Sequence, residues 1–313
     1  MLPGESAPHE QEIRGIVTDD PLLGFPVGTS IDLEPVVFSG ADSTPIPQGT
    51  INWTFFEGAL LAVVVSTPED HVVLGTAVVI APGLAITATH VFNERIPDIL
   101  CGAVSIACVG PTSTGVEFWR VRTINTCPSD DIAYLSIQLA SPISASWRFR
   151  SIALTTRAPK PGEMVYVIGF QFPNVFSDSQ FSVRMTGNLY VASGKVGSVY
   201  YPMRDSVLMP FPAIEIMCGS LGGMSGGAVL DAQGYLLGVT SRGFETDDRS
   251  GPSYAAWLVG GLNRKLEIPW PPGLYPQQVH LLEMDGCTLR IDGREHVTAL
   301  DEHTVSYQLW FDR

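Results

Sequence analysis

From Ile51 the chain runs in short β-branched and aromatic segments, INWTFF, LLAVVVS, HVVLGTAVVI, LAITAT, VEFWRVRTI and IAYLSIQL, separated by Gly, Pro, Ser and Asp. A second series opens at MVYVIGF and continues through SVRMTGNLYVAS, KVGSVYY, AIEIM, GGAVLDAQGYLLGVTS and YAAWLVGG. Such segments predict an all-β protein, most simply two antiparallel β barrels with a cleft between them. The uncharged stretch Val72 to Asn93 is long enough to cross a bilayer, but Gly75, Pro82, Gly83 and several threonines interrupt it; it reads as two buried strands joined at Ala81-Pro82-Gly83. Only Ala255 to Leu266 also permits a helical stripe, so a short helix is an alternative there.

The flanks differ. Residues 1–50 are rich in Pro, Gly and acidic residues without a sustained period, which suggests an extended arm, disordered or docked on the body. The first barrel is placed at 51–146 and the second at 147–270, with Pro142, Pro159 and Pro161 marking a connector over 141–162. Residues 271–313 read as a β-hairpin appendage, because Asp285-Gly286 and Asp292-Gly293 fall between apolar runs. No internal repeat is evident.

Composition narrows the function. The 313 residues include 31 glycines and 24 prolines, dense punctuation that suits strands and turns. With 32 acidic against 18 basic side chains, the net charge of -14 opposes phosphate neutralisation, so nucleic acid is not an expected partner. The beginning, MLPGESAPHEQEIRG, has no basic stretch followed by an apolar run; a cytoplasmic location without membrane association is expected. The five cysteines, Cys101, Cys108, Cys127, Cys218 and Cys287, show neither paired spacing nor histidines at ligand distance, so neither disulfide framework nor metal site is expected.

The sharpest local motif is Gly223-Met224-Ser225-Gly226-Gly227, after the strand-like AIEIM. A turn of low side-chain bulk lets a carbonyl approach Ser225 while backbone N–H groups face it, although a tight turn between strands gives the same string. A serine hydroxyl needs a base to take its proton, and that base needs a carboxylate to orient it. His9, His71, His280, His296 and His303 lie in weak settings, whereas His90 ends the apolar strand Leu84 to Thr89. The carboxylate candidate is Asp131, where a loop enters the apolar run IAYL; Asp130 is its rival.

Together the segments ITATH (86–90), DIAYL (131–135) and GMSGG (223–227), in that order, resemble the trypsin-like, chymotrypsin-fold serine peptidases, and among them the bacterial group that includes HtrA-like proteases. The resemblance spans roughly residues 52–266, since VYVIGF (165–170) is similar to the opening strand of the family's second barrel. It implies two six-stranded barrels, His90 as general base and then acid, Asp131 as the group holding the imidazole tautomer, and Ser225 as nucleophile. The N–H groups of Gly223 and Ser225 would form the oxyanion hole, and no cofactor is implied. Asp131 is favoured over Asp130 because it occupies the motif position before Ile132-Ala133. Met224 stands where the digestive members carry an aspartate that pairs with a newly cleaved N-terminus, so activation by that route is not expected. Regulation would fall to loop ordering or to a protein partner.

By the same resemblance Cys218 to Gly222 forms the primary pocket, with Gly219 and Ser220 at its base and wall. It contains no acidic residue, which disfavours Lys or Arg before the scissile bond and favours a small or apolar side chain. Ser241, Arg242 and Gly243 match the strand that aligns an extended peptide. Arg242 either steers acidic substrate residues or is a solvated edge charge. The stretch beyond Leu266 is too short for a typical PDZ-like domain. Two other readings remain open. Gly223 to Gly227 also satisfies the G-x-S-x-G elbow of α/β-hydrolase esterases, although a strand pattern rather than a helix follows it. A peptidase fold used only for binding or regulation would not require all three side chains.

Overall fold

The run LLAVVVS is buried throughout and HVVLGTAVVIA, half-buried over His71 to Leu74, is buried from Gly75 onward, as strands packed on both faces must be. In the computed structural model, which describes residues 11–15, 29–39, 56–67, 71–112, 115–127, 129–141, 147–179, 182–244, 251–301 and 305–311, they are β1 (Leu60–Ser66) and β2 (His71–Ala81). Most of INWTFF lies outside those residues. β3 (Leu84–Ala88), β4 (Ser105–Thr112), β5 (Gly115–Cys127) and β6 (Ile132–Leu139) complete a closed antiparallel barrel in the order β1-β2-β3-β6-β5-β4. The turn between β2 and β3 falls at Pro82-Gly83, with Gly83 at φ +76°. A side chain on Gly83 would overlap the Trp270 carbonyl, so closeness to the C-terminal segment as well as turn geometry requires glycine there.

The second barrel comprises β7 (Met164–Ser179), β8 (Ser182–Tyr200), β9 (Ala213–Ile216), β10 (Ala228–Leu230), β11 (Leu236–Gly243) and β12 (Ser253–Trp257). Its order is β8-β7-β10-β11-β12-β9, and pairing of Val196 with Ile216 closes the ring. Val165, Val167, Val229, Leu237 and Trp257 fill its interior; burying each such side chain contributes about 1.5–3 kcal/mol. Strand Thr29–Ser39 pairs in parallel with β8, and Gln11–Gly15 pairs with that strand. The fold is all-β, with two six-stranded barrels. Among the described residues no helix is long and apolar enough to cross a membrane.

Two local expectations change. Ala255 to Leu266 is not a helix: Ala255 and Ala256 pair on both sides within the barrel, leaving only a 3-10 turn at Leu258–Gly261. Nor do the Asp-Gly pairs join hairpins. Gly286 and Gly293 adopt left-handed φ values of 74° and 71°, but the Asp285 carboxylate accepts the Ile291 N–H at 2.7 Å, and Gly293 lets Trp310 and Thr156 approach its Cα. The tail hairpin instead pairs Val297–Ala299 with Val305–Tyr307. The tail lies along both barrels: the Tyr275 hydroxyl donates to the Pro82 carbonyl at 2.7 Å, and Ile291–Asp292 pairs with Leu154–Thr155 beside β11.

Candidate active site

β3 ends at Ala88, and a 3-10 turn, Thr89–Phe92, carries His90 into the space between the barrels. Thr89 fixes that turn, its N–H donating to the Asp131 carbonyl at 3.2 Å and its hydroxyl to the Ile132 carbonyl at 2.7 Å. Asp131, just before β6, is the only described non-glycine residue at positive φ, +50°. Aspartate tolerates this left-handed geometry better than most side chains, and here it turns the carboxylate toward His90.

One buried carboxylate serves three donors. Asp131 Oδ1 accepts the His90 backbone N–H at 3.0 Å. Its Oδ2 lies 2.9 Å from His90 Nδ1 and accepts from Ser241 Oγ at 2.5 Å. An ionised carboxylate only accepts, so it fixes the proton on Nδ1 and leaves Nε2 as an acceptor. Ser225 Oγ is 3.0 Å from that Nε2. The arrangement suits removal of the serine proton by imidazole during attack on a carbonyl.

Asp130 faces elsewhere, pairing with Arg264 at 2.9 Å. Burial raises its carboxyl above the usual range, and the Arg264 guanidinium opposes the shift.

The glycines around Ser225 do more than reduce bulk. Gly226, at φ +79°, is pressed against Thr87 Oγ1 and the Thr76 carbonyl, where an added Cβ would lie within 1.9 and 2.2 Å. At Gly227 an added Cβ would come within 2.2 Å of the Ile168 carbonyl. The glycine run thus seats the serine turn on strands of both barrels, a reason beyond the substrate access read from the sequence. Gly223 sits at φ +95°; among the described residues neither its N–H nor that of Ser225 donates to a backbone carbonyl. Met224 is fully buried, and its Sδ receives the Leu221 N–H at 3.4 Å.

Beside Ser225 opens a cavity of about 120 Å³ bordered by Ser220, Leu221, Gly222 and the segment Thr240 to Gly243, with no acidic side chain. Gly219 does not border it. Ser220 Oγ crowds Gly243, where an added Cβ would come within 2.3 Å. Arg242 is exposed at the cavity edge. Ser241, expected in substrate alignment, does border the cavity, yet its hydroxyl serves Asp131. Behind this wall Cys218 is buried 3.7 Å from the Ser253 hydroxyl, and burial pushes its thiol up to about 11.

A family model described as the trypsin-like peptidase domain matches residues 75–239, more than half of the chain, including His90, Asp131 and Ser225. The chain belongs to the trypsin-like peptidase family. It is therefore a serine protease, a hydrolase. No curated protein matches the sequence. Among solved structures, the peptidase is similar to the active form of the Rv3671c protease from M. tuberculosis, with 16% identity, a TM-score of 0.48, and coverage of 71% of this chain and 85% of that one. The MamO protease domain from Magnetospirillum magneticum gives 18% identity and a TM-score of 0.45 over 66% and 95% of the two chains. The HtrA-type protease AlgW with a tripeptide gives 20% and 0.45; the match covers 64% of the peptidase and 56% of AlgW.

Three site features escaped the sequence reading: the donor role of Ser241, the pairing of Arg264 with Asp130, and the contacts of Thr76 with the serine turn. Arg264 is separated by 134 residues from its partner, and no sequence spacing signals that pairing.

Proposed function

We propose that the peptidase is an endopeptidase in which His90, Asp131 and Ser225 form the catalytic triad. One observation carries this reading: a continuous hydrogen-bonded line from Asp131 through His90 to Ser225, with 2.9 Å and 3.0 Å links. His90 Nε2 takes the Ser225 proton as Oγ attacks the scissile carbonyl; the imidazolium, stabilised by Asp131, returns it to the leaving amine. Water, activated by the same imidazole, then hydrolyses the acyl-enzyme. Such general base catalysis contributes about 10²–10⁴-fold. The uncommitted N–H groups of Gly223 and Ser225 are assigned to the developing oxyanion, each such donor contributing about 10²–10³-fold.

The substrate is a protein or peptide bound as an added strand along Ser241 to Gly243. On that edge β10 pairs with β11 as far as Val239, and Thr240 still exchanges hydrogen bonds with Gly226 and Gly227, which supports an accessible edge from Ser241 onward. A cavity of about 120 Å³ without a carboxylate supports a small or apolar residue before the scissile bond. Action in the cytoplasm, with a protein partner controlling activity, completes the proposal; the buried Met224 in place of an ion-pairing carboxylate supports control other than by a new N-terminus.

Mass-spectrometric profiling of cleavage sites in a peptide library tests the reading. Cleavage after Ala, Ser or Val, abolished in Ser225→Ala, is expected. Preference for Arg or Lys refutes the pocket assignment, and unchanged cleavage by Ser225→Ala refutes the triad.

A further inference from the structure

Thr76 belongs to β2 of the first barrel, yet its N–H and hydroxyl are spent on the serine turn and the second barrel, while its carbonyl accepts from the Thr87 hydroxyl within its own barrel. Its N–H donates to the Ser225 carbonyl at 2.8 Å. Its hydroxyl donates to the Gly223 carbonyl at 3.1 Å and accepts the Phe170 N–H at 2.8 Å. A hydroxyl has one proton and two lone pairs, so a single side chain satisfies a buried donor and an acceptor together. The residue is fully buried, and the adjoining Gly75 permits the approach: a Cβ there would lie 2.6 Å from the Ser225 carbonyl oxygen.

The carbonyls held by Thr76 flank the two N–H groups assigned to the oxyanion. Gly223 contributes its N–H on one side of its Cα and the anchored carbonyl on the other. Its φ of +95° lies in a region where glycine meets no side-chain barrier, so the turn is not locked by local sterics. Turn bonds from Met224 to Leu221 and from Gly227 to Met224 shape the loop, and holding the Gly223 and Ser225 carbonyls to a β-strand adds a restraint at the two peptide units next to the oxyanion donors, at little reorganisation cost during reaction.

We infer that Thr76 is a positioning residue for the oxyanion site, acting through the Gly223 carbonyl and tying the first barrel to the catalytic turn of the second. The inference deepens the proposed triad reading and rests on it. A purely structural link between barrels would affect stability; a positioning link affects stabilisation of the tetrahedral state while leaving ground-state binding in place.

The test compares the full chain with Thr76→Val, Thr76→Ser and Tyr134→Phe. The last removes a different buried inter-barrel bond, the 2.7 Å contact of the Tyr134 hydroxyl with the Gly261 carbonyl. Measured quantities are kcat and KM on a cleaved peptide, Ki of a peptidyl boronic acid of the same sequence, and Tm. Thr76→Val is expected to lower kcat about 10- to 100-fold and raise the boronate Ki comparably, with KM within about twofold. Thr76→Ser restores kcat to within about threefold, while Tyr134→Phe lowers Tm and keeps kcat. Wild-type kcat in Thr76→Val, a loss confined to KM, failure of Thr76→Ser to rescue, or an equal kcat loss in Tyr134→Phe would overturn the assignment. If Thr76→Val does not fold, Thr76→Cys, with a weaker donor, must show intermediate kcat at unchanged KM; wild-type kcat in it overturns the assignment. A wild-type chain that neither cleaves peptides nor binds the boronate refutes the proposed function and this assignment with it.

Discussion

Ser241 Oγ donates to Asp131 Oδ2 at 2.5 Å, so the strand that borders the cavity also holds the carboxylate behind His90. On the proposed reading, substrate alignment and orientation of the base share one element, β11. Ser241→Ala leaves Asp131 the two donors from His90. Losing a hydrogen bond to a charged group costs about 1.5 kcal/mol, so kcat is expected to fall about tenfold. KM, set by the unchanged backbone, should stay within about twofold in steady-state assays of the two proteins.

The serine turn distinguishes one glycine from another. Gly226→Ala forces a side chain into Thr87 Oγ1 and the Thr76 carbonyl at φ +79°, whereas Gly222 has nothing within 4 Å of an added Cβ. Gly226→Ala should lose about 3 kcal/mol or more, or fail to fold, and Gly222→Ala should change stability by under about 1 kcal/mol. Urea denaturation read by tryptophan fluorescence measures both.

Asp130 and Arg264 give a pH-dependent prediction. Burial raises the Asp130 carboxyl and Arg264 opposes that shift. In Arg264→Met the opposition is gone and the folded-state value rises further. A carboxyl whose folded value exceeds its unfolded one binds more protons when folded, so its contribution to stability declines as pH rises through that window. Arg264→Met should therefore destabilise more at pH 7, by about 1–3 kcal/mol, than at pH 4. Adding Asp130→Asn should recover part of the loss at pH 7.

The thiols offer an independent check on burial. Cys108 is pushed up to about 12 and Cys218 to about 11 by burial, while Cys101 and Cys287 are exposed. Since the thiolate is the reactive form, iodoacetamide at neutral pH should modify Cys101 and Cys287 far faster than Cys108 or Cys218 in the native protein. Peptide mapping after short exposure reads the order directly.

Composition and punctuation made the barrel strands legible, because LLAVVVS and IAYLSIQL are short apolar runs rich in β-branched or aromatic residues with turn residues nearby. The three side chains that meet in one hydrogen-bonded line, His90, Asp131 and Ser225, could also be singled out, because an alcohol, an imidazole and a carboxylate are distinct residue types, each at the edge of an apolar segment. Less was readable where tertiary contact decides. Ala255–Trp257 satisfies helix and strand patterns equally, and pairing on both sides selects strand. The Asp-Gly pairs in the tail signal left-handed turns correctly, but contacts with Trp310 and Ile291 determine what those turns connect. Ser241, Thr76 and Arg264 act through partners more than a hundred residues away, a relationship no local pattern encodes.

Activation of Ser225 by His90 would make the Ser225 hydroxyl reactive toward a phosphorylating electrophile. Treating the folded protein with a fluorophosphonate and locating the adduct by mass spectrometry tests it most directly. A single adduct on Ser225 is expected, absent from both Ser225→Ala and His90→Ala at unchanged fold. No adduct on the native protein, or equal labelling of Ser225 in His90→Ala, would contradict it.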